Sequence, residues 1–457
     1  MAVKSAPSGR PGALERFGDA SARIIRLYMP DAYILAVLLT FVTFILALIF
    51  TKTPFVTMTQ DWYTGLWDIL EFSFQMILVL LTGYALAMAP VVQTFIRWLA
   101  SLAKTPSQAV ALAALVGGIG SFINWALGLI LMGMIAREIA KRVEIHFPYL
   151  VAAAYSGFLI WSSGIASSVA IIAATPGNSV NFIQLYAHQI IPEGQTVFSW
   201  WNLLASLIVL VLLPVIFRIM LPKDRSKWML VDREKLMRED DSAKHVQLDD
   251  VPVSRLDNSW VLTVLIVAVA LVYLISTWSA KGFSLDFDTL IFLFLIIGMI
   301  LHWRPMSYVQ SFYGAARTAG PLALQYPFYG GMMTLMISTG LAAVMAGWFV
   351  AISSAHTLPF WQFVASVILN LFIPSGGGHW AVQGSVATLS AVKLHASLPL
   401  TTMGVAWGEQ VMEMLQPFWM LPVLAIAGAK VRDVLGYGAA AFVLGFVVYG
   451  GMLLIVH

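Results

Sequence analysis

Two acids, a run of glycines and a few hydroxyl and amide side chains carry the chemistry of this sequence. Glu409 and Glu413 lie well inside an apolar stretch, four residues apart and so on one helical face, with Gln416 about one turn on. An acid inside a membrane helix is a functional candidate by default. Glu409 could carry a proton, neutralise a cation or brace a neighbouring segment by hydrogen bonding. The stretch Asn370–Ser385 sets Ser375, Gly376, Gly377, Gly378, His379 and Gln383 just after Pro374. A second group, Gly117-Gly118-Ile-Gly120-Ser121-Phe-Ile-Asn124, resembles it, and Ser162 and Ser163 precede Gly164. None of these positions is Lys or Arg. A small carboxylate held here would be met by half-helix N-termini, by polar side chains and by a co-bound cation. The candidate substrate-binding set is therefore Ser121, Asn124, Ser162, Ser163, Ser375, Gly376, Gly377, Gly378, His379, Gln383, Glu409 and Gln416. Carbonyls freed at turns would suit Na⁺, which points to Gly118, Ser121, Asn124, Gly376 and Gly378. His379 could titrate near physiological pH or stay neutral and bond a turn. The plainer role for any one Ser or Asn is a helix-to-helix hydrogen bond. For the glycines it is close packing of helices.

The elements that position these residues are membrane helices. Hydrophobic residues make up 60% of the 457 and charged ones 11%, against about 25% charged in soluble domains. Many apolar runs reach the ~20 residues of a span. From Thr318 to Val392 there is no Asp, Glu, Lys or Arg. Pro374 and the glycines after it cannot continue a plain helix there. Irregular backbone at that depth is tolerated where it is buried in protein or lines a wet cavity. The sequence thus predicts a helix end, a re-entrant turn and a second helix starting near His379. Other breaks are expected at Gly117–Asn124, Trp161–Gly164, Pro327–Gly331 and Gln416–Pro417, and Gln60–Tyr63 is expected in a short interfacial connection. There is no cysteine, hence no disulfide and no cysteine nucleophile. No nucleophile–base constellation, nucleotide loop or metal cluster points to an enzyme, and nothing points to nucleic acid.

The two halves resemble each other. Thr82-Gly83 recurs as Thr339-Gly340, Asn124-Trp125-Ala126 as His379-Trp380-Ala381, and Ala154-Tyr155 as Ala406-Trp407, in the same order and at a near-constant offset. The division is a cytoplasmic N-terminal segment 1–29, a first repeat 30–221, a cytoplasmic linker 222–258, a connecting helix 259–278 and a second repeat 286–457. Lys4, Arg10, Arg16, Arg23 and Arg26 place the N-terminus in the cytoplasm. The unpaired connecting crossing then inverts the second repeat relative to the first. Inverted repeats with broken helices near the midplane mark secondary transporters.

Phe372-Ile-Pro-Ser-Gly-Gly-Gly-His-Trp-Ala-Val-Gln-Gly384, Ala174-Thr-Pro-Gly-Asn178, Trp407-Gly-Glu-Gln-Val411 and Gln416-Pro-Phe-Trp419 together resemble the bacterial short-chain fatty acid transporter family, within the ion transporter superfamily. The likeness runs from about Arg16 to the C-terminus. It implies two re-entrant hairpins, two broken helices, a homodimeric scaffold and elevator-type movement. The sequence departs from the family pattern at His379, Ser385 and Ser162–Ser163. The expected protein is an all-α polytopic transporter of the bacterial inner membrane. It would import butyrate- or acetoacetate-like monocarboxylates by symport with Na⁺ or H⁺, with no other cofactor. The alternatives are a carrier of another small carboxylate and a passive anion channel.

Overall fold

The computed structural model of the protein describes residues 30–234, 236–237 and 256–456. The expected N-terminal segment 1–29 and much of the linker 222–258 lie outside the described residues. Among the described residues the chain is helical, with no β-strand. The first half runs α1 (Ala32–Phe50), α2 (Phe55–Asp68), α3 (Leu70–Met88), α4 (Pro90–Leu102), α5 (Pro106–Ile123), α6 (Trp125–Ala140) and α7 (Phe147–Ser156). A 3-10 segment (Gly157–Ser163) leads on to α8 (Ser168–Ala174), α9 (Phe182–Ala187) and α10 (Trp200–Ile219). The connecting helix is α11 (Trp260–Lys281). The second half runs α12 (Phe287–His302), α13 (Pro305–Ala316), α14 (Gly320–Ser338), α15 (Leu341–Ile352), α16 (Leu358–Leu369), α17 (Gly376–Leu394), α18 (Leu398–Met412), α19 (Met420–Ala427), α20 (Val431–Val434) and α21 (Gly438–Ile455).

Local chemistry sets many of these boundaries. Asp31 caps α1 by accepting from Tyr33 N–H at 2.9 Å, and Asp286 caps α12 by accepting from Thr289 N–H at 2.8 Å. Thr105 caps α5 with Pro106 in its first turn, where the missing N–H costs nothing. Gly428 ends α19 in the left-handed region, at φ 74°. Seven spans among the described residues are long and apolar enough to cross a membrane, with α7 through α8 counted as one. The pair α14–α15 is apolar enough to cross only if its two bent arms are taken together.

Two expectations about breaks need correction. Pro327 lies inside α14, which does not break at Pro327–Gly331. A proline in a packed membrane helix loses one backbone bond, and neighbouring helices can hold it straight. The bend, 76°, falls instead at Thr339–Gly340, where Gly340 takes φ 78°. Gly330 and Gly331 serve approach to α2. A Cβ on Gly65 would stand 2.5 Å from the Gly330 carbonyl, and one on Gly331 would stand 2.7 Å from the Trp62 ring. Residues Gln60–Tyr63, expected as a connection, belong to α2 itself.

Each half carries a broken helix before its last span. The packing crosses between halves: α2 lies on α14, and α13 lies on α3. The span Phe147–Ala174 is 89% buried and forms the centre, wrapped by α5, α6, α18 and α21. At the other extreme α11 is 17% buried and turns Leu265, Val269, Val272 and Ile275 outward, a surface fit for hydrocarbon.

Candidate functional site

The first turn closes on itself. Helix α5 runs to Ile123, Asn124 interrupts it, and α6 starts at Trp125. The Asn124 Oδ1 accepts from Ala126 N–H at 2.8 Å and Leu127 N–H at 3.0 Å, and its Nδ2 donates to the Val79 carbonyl at 3.4 Å. The side chain is an N-cap, with no acceptor left over for a ligand. Gly118 and Gly120 are helical, and the Gly120 carbonyl accepts from Asn124 N–H at 3.0 Å. These carbonyls stay in the helical ladder rather than free at a turn. Gly118 serves packing, because a Cβ there would stand 2.7 Å from Leu210. Ser121 is buried and its hydroxyl has no partner.

The second turn is open at one end. Helix α16 stops at Leu369, residues 370–375 turn, and α17 begins at Gly376 rather than near His379. The three glycines form the first turn of a helix, so their N–H groups, not their carbonyls, lack a partner in the helical ladder; that of Gly378 faces the Tyr326 hydroxyl. Ser375 precedes them as N-cap, and its side chain makes no capping bond. Its hydroxyl instead meets the Tyr326 hydroxyl at 3.0 Å. The glycines are required by contact. A Cβ on Gly376 would strike Trp161 and Ser168 and stand 3.0 Å from Glu409 Oε1, while Gly377 abuts Phe72 and Gly378 abuts Tyr329. Gln416 holds the turn rather than the ligand space: its Nε2 donates to the side chain of Asn370 and, at 3.4 Å, to the Asn370 carbonyl. The Trp419 indole donates to the Pro374 carbonyl at 2.8 Å.

His379 and Gln383 tie the hairpin arms together. His379 Nε2 lies 3.0 Å from Ser366 Oγ and 2.7 Å from Gln383 Oε1, and Gln383 Nε2 donates to Gln362. Ser366 donates to the Val405 carbonyl at 2.7 Å, which extends the chain of bonds to α18.

Between the turns stand the two broken helices. Ser162 donates to Glu409 Oε1 at 2.8 Å. Gln410 Oε1 accepts from Ser162 N–H at 2.9 Å and Ser163 N–H at 3.2 Å, and its Nε2 donates to Ser163 Oγ at 3.0 Å. The Trp161 indole donates to Glu413 Oε2, and Tyr155 donates to the Glu413 carbonyl at 2.9 Å. The 3-10 segment is thus pinned to α18 and its C-cap Glu413 at three consecutive residues, Trp161, Ser162 and Ser163.

Ser375 and Gly376 of the second turn and Trp125 of the first line one cavity. Trp161, Trp419 and Phe158 wall it, with Tyr326, Met76 and Leu322 opposite. The Trp125 ring centroid is 5.2 Å from Trp419 and 6.5 Å from Trp161. At about 10 Å³ the cavity has room for about one water, so it is closed to any carboxylate in this conformation. Of the expected set, Ser375 and Gly376 line this cavity; Glu409 stands beside Gly376, and Ser162 is bonded to Glu409. Asn124, His379, Gln383 and Gln416 hold turns and arms. The sequence reading missed Trp161, Gln410, Ser168, Tyr326 and Asn370. Proximity in the chain could have flagged Gln410 beside Glu409, Trp161 beside Ser162 and Asn370 at the head of the glycine stretch, but not Ser168 or Tyr326.

The comparisons agree with this architecture. The model of the family described as "Short chain fatty acid transporter" matches residues 13–456. Two bacterial relatives carry the description "Putative short-chain fatty acid transporter". The one from Escherichia coli (strain K12) is 39% identical over 439 residues, 96% of this chain and 98% of that protein. The one from Haemophilus influenzae (strain ATCC 51907 / DSM 11121 / KW20 / Rd) is 37% identical over 434 residues, 94% of this chain and 97% of that protein. Among solved structures, the Alcanivorax borkumensis YdaH transporter superposes with a TM-score of 0.60 at 15% identity, covering 93% of this chain and 98% of that one. Neisseria gonorrhoeae MtrF superposes at 0.53 and 13% identity, covering 96% and 97%. At such identity these two show a shared fold. The family match and the two relatives go further, and the chain belongs to the short-chain fatty acid transporter family.

Proposed function

We propose that the protein is a secondary carrier that imports short-chain monocarboxylates at the bacterial inner membrane, by cation symport and alternating access. One observation carries the reading: α17 starts without a side-chain cap, and that start opens on an aromatic cavity. Free N–H groups and the helix dipole favour an anion there. The carboxylate head lies against Ser375 and Gly376, and the alkyl chain runs over Met76, Leu322 and the indole rings. No lysine or arginine lines the cavity, so the anion depends on the helix start and on a co-transported cation.

The parallel element order, the exchanged packing of α2 on α14 and α13 on α3, and the single crossing α11 between halves support an inverted repeat. In this reading Arg97, Lys104, Arg137 and Lys141 lie on the cytoplasmic side with the N-terminus. The pair of hairpins and broken helices moves as an elevator against a homodimeric scaffold. The aromatic walls part to admit substrate from one side and then the other.

The test is counterflow in proteoliposomes. Labelled acetoacetate suits it, because its keto group slows the unaided crossing that butyric acid makes through lipid. Saturable uptake accelerated by unlabelled acetoacetate on the far side is expected. Uptake no faster than in protein-free liposomes, with propionate and butyrate failing to compete, refutes the fatty-acid reading. Uptake that neither saturates nor accelerates in exchange indicates a pore instead.

A further inference from the structure

Glu409 and Glu413 sit one helical turn apart with no accessible surface. Two carboxylates without water cannot both be ionised unless a cation stands opposite. Among the described residues none does: the side-chain partners of the pair are the Ser162 hydroxyl and the Trp161 indole. Glu409 Oε2 and Glu413 Oε1 have no partner there. Ser168, 1% exposed, also has an unpartnered hydroxyl, and it lies with Glu409 Oε1 around the point where a Gly376 Cβ would be. The titratable groups packed around the pair are Tyr155 of α7, Tyr326 of α14 and Tyr449 of α21, with His379 of α17 one step away through Ser366, which abuts Gly408.

We propose that the Glu409–Glu413 pair is the proton site of the carrier, holding one proton before binding and a second while a carboxylate sits at the start of α17. The proposal rests on the carrier reading above and names its coupling ion. A metal cation suits the pair poorly. An indole N–H only donates, and it already occupies one Glu413 oxygen. A hydroxyl donor occupies one oxygen of Glu409. A proton instead turns an orphan oxygen into a donor, and the Ser168 hydroxyl, on the Oε1 side of Glu409, is itself unpartnered among the described residues.

The geometry also supplies the coupling. The start of α17 rests on Glu409 and on the Trp161 ring. An ionised Glu409 repels an anion arriving at those N–H groups, and a protonated one does not. Trp161 joins the two events, because it bonds Glu413 and walls the cavity. Linkage is reciprocal, so carboxylate binding must draw a proton onto the pair.

Calorimetric titration of butyrate into the purified full-length protein, in buffers of different ionisation enthalpy, counts protons taken up per carboxylate bound. About one proton is expected, with affinity falling about tenfold per pH unit once the pair ionises. The double variant Glu409→Gln/Glu413→Gln should bind butyrate with no uptake and with affinity independent of pH. Infrared difference spectra of the wild type should show a protonated-carboxyl band that grows on binding, which tests the proposal even if the variant fails to fold. Binding without proton uptake in the wild type overturns the proposal. So does uptake undiminished in the double variant, or affinity that follows Na⁺ at fixed pH. If neither butyrate nor acetoacetate binds the wild type, the carrier reading itself falls, a separate and recognisable result.

Discussion

Gly376→Ala tests the packing on which the site reading depends. Three groups surround the point where the new methyl would go: Ser168 Oγ, the Trp161 ring and Glu409 Oε1 at 3.0 Å. The serine can rotate away. The other two cannot easily yield, because Trp161 is bonded to Glu413 and Glu409 to Ser162. The start of α17 must therefore back off. Overpacking of this kind costs about 1–3 kcal/mol. Alanine returns roughly 0.5–1 kcal/mol of backbone entropy, so folding stability should fall by no more than about 2.5 kcal/mol. Ligand binding has no such compensation, since the displaced N–H groups are those proposed to hold the carboxylate. A loss near 1.4 kcal/mol corresponds to about tenfold in affinity. The assay is a fluorescence titration with butyrate, because Trp125, Trp161 and Trp419 surround the cavity and report on it directly. Gly347→Ala is the control, as a Cβ there meets nothing within 4 Å. If Gly376→Ala binds as the wild type does, the start of α17 is not the carboxylate site.

The other predictions concern the supports. Asn124→Ala removes a cap and should cost about 1–2 kcal/mol by thermal unfolding, while butyrate affinity stays within about twofold; a much larger loss of affinity would return Asn124 to the ligand. Gln410→Leu strands the Ser162 and Ser163 N–H groups and should cost about 2–5 kcal/mol, with transport lost in proportion to folded protein; a stable, active variant would show that the 3-10 segment does not need α18. Glu193, in the loop before α10, is pushed up to about 7, chiefly by burial. Its carboxyl holds a proton longer in the folded state than in the unfolded one. The loop should therefore lose protection as pH rises from about 4.5 through 7, visible as faster amide exchange at Thr196–Ser199. Glu193→Gln should abolish that dependence.

Much of the architecture was legible because it is written locally. Gly-Ser-Asn and Ser-Ser-Gly clusters inside apolar runs marked the breaks at Asn124 and Ser162–Gly164, and Gln416–Pro417 marked the third. Local signals misled where packing outweighs propensity. Pro327 stays helical against α2, and the three glycines of α17 are helical because rings on three sides leave no room for a Cβ. The site was less legible for a different reason. Gln410 meets Ser162 across 248 residues of chain, and Trp161 meets Glu413 across 252. No periodicity or spacing carries such pairings. Asn124 shows the limit of local reading, because a capping asparagine, which it is here, and a ligating one have the same local sequence.

The two turns also differ in how they are closed. Asn124 seals the start of α6 with its own side chain, while Ser375 makes no such bond at the start of α17. The first turn is a fixed stop, self-contained and indifferent to what lies beside it. In the proposed carrier the second would be the one left to meet a substrate, so that a single side chain would decide which turn recognises and which only supports.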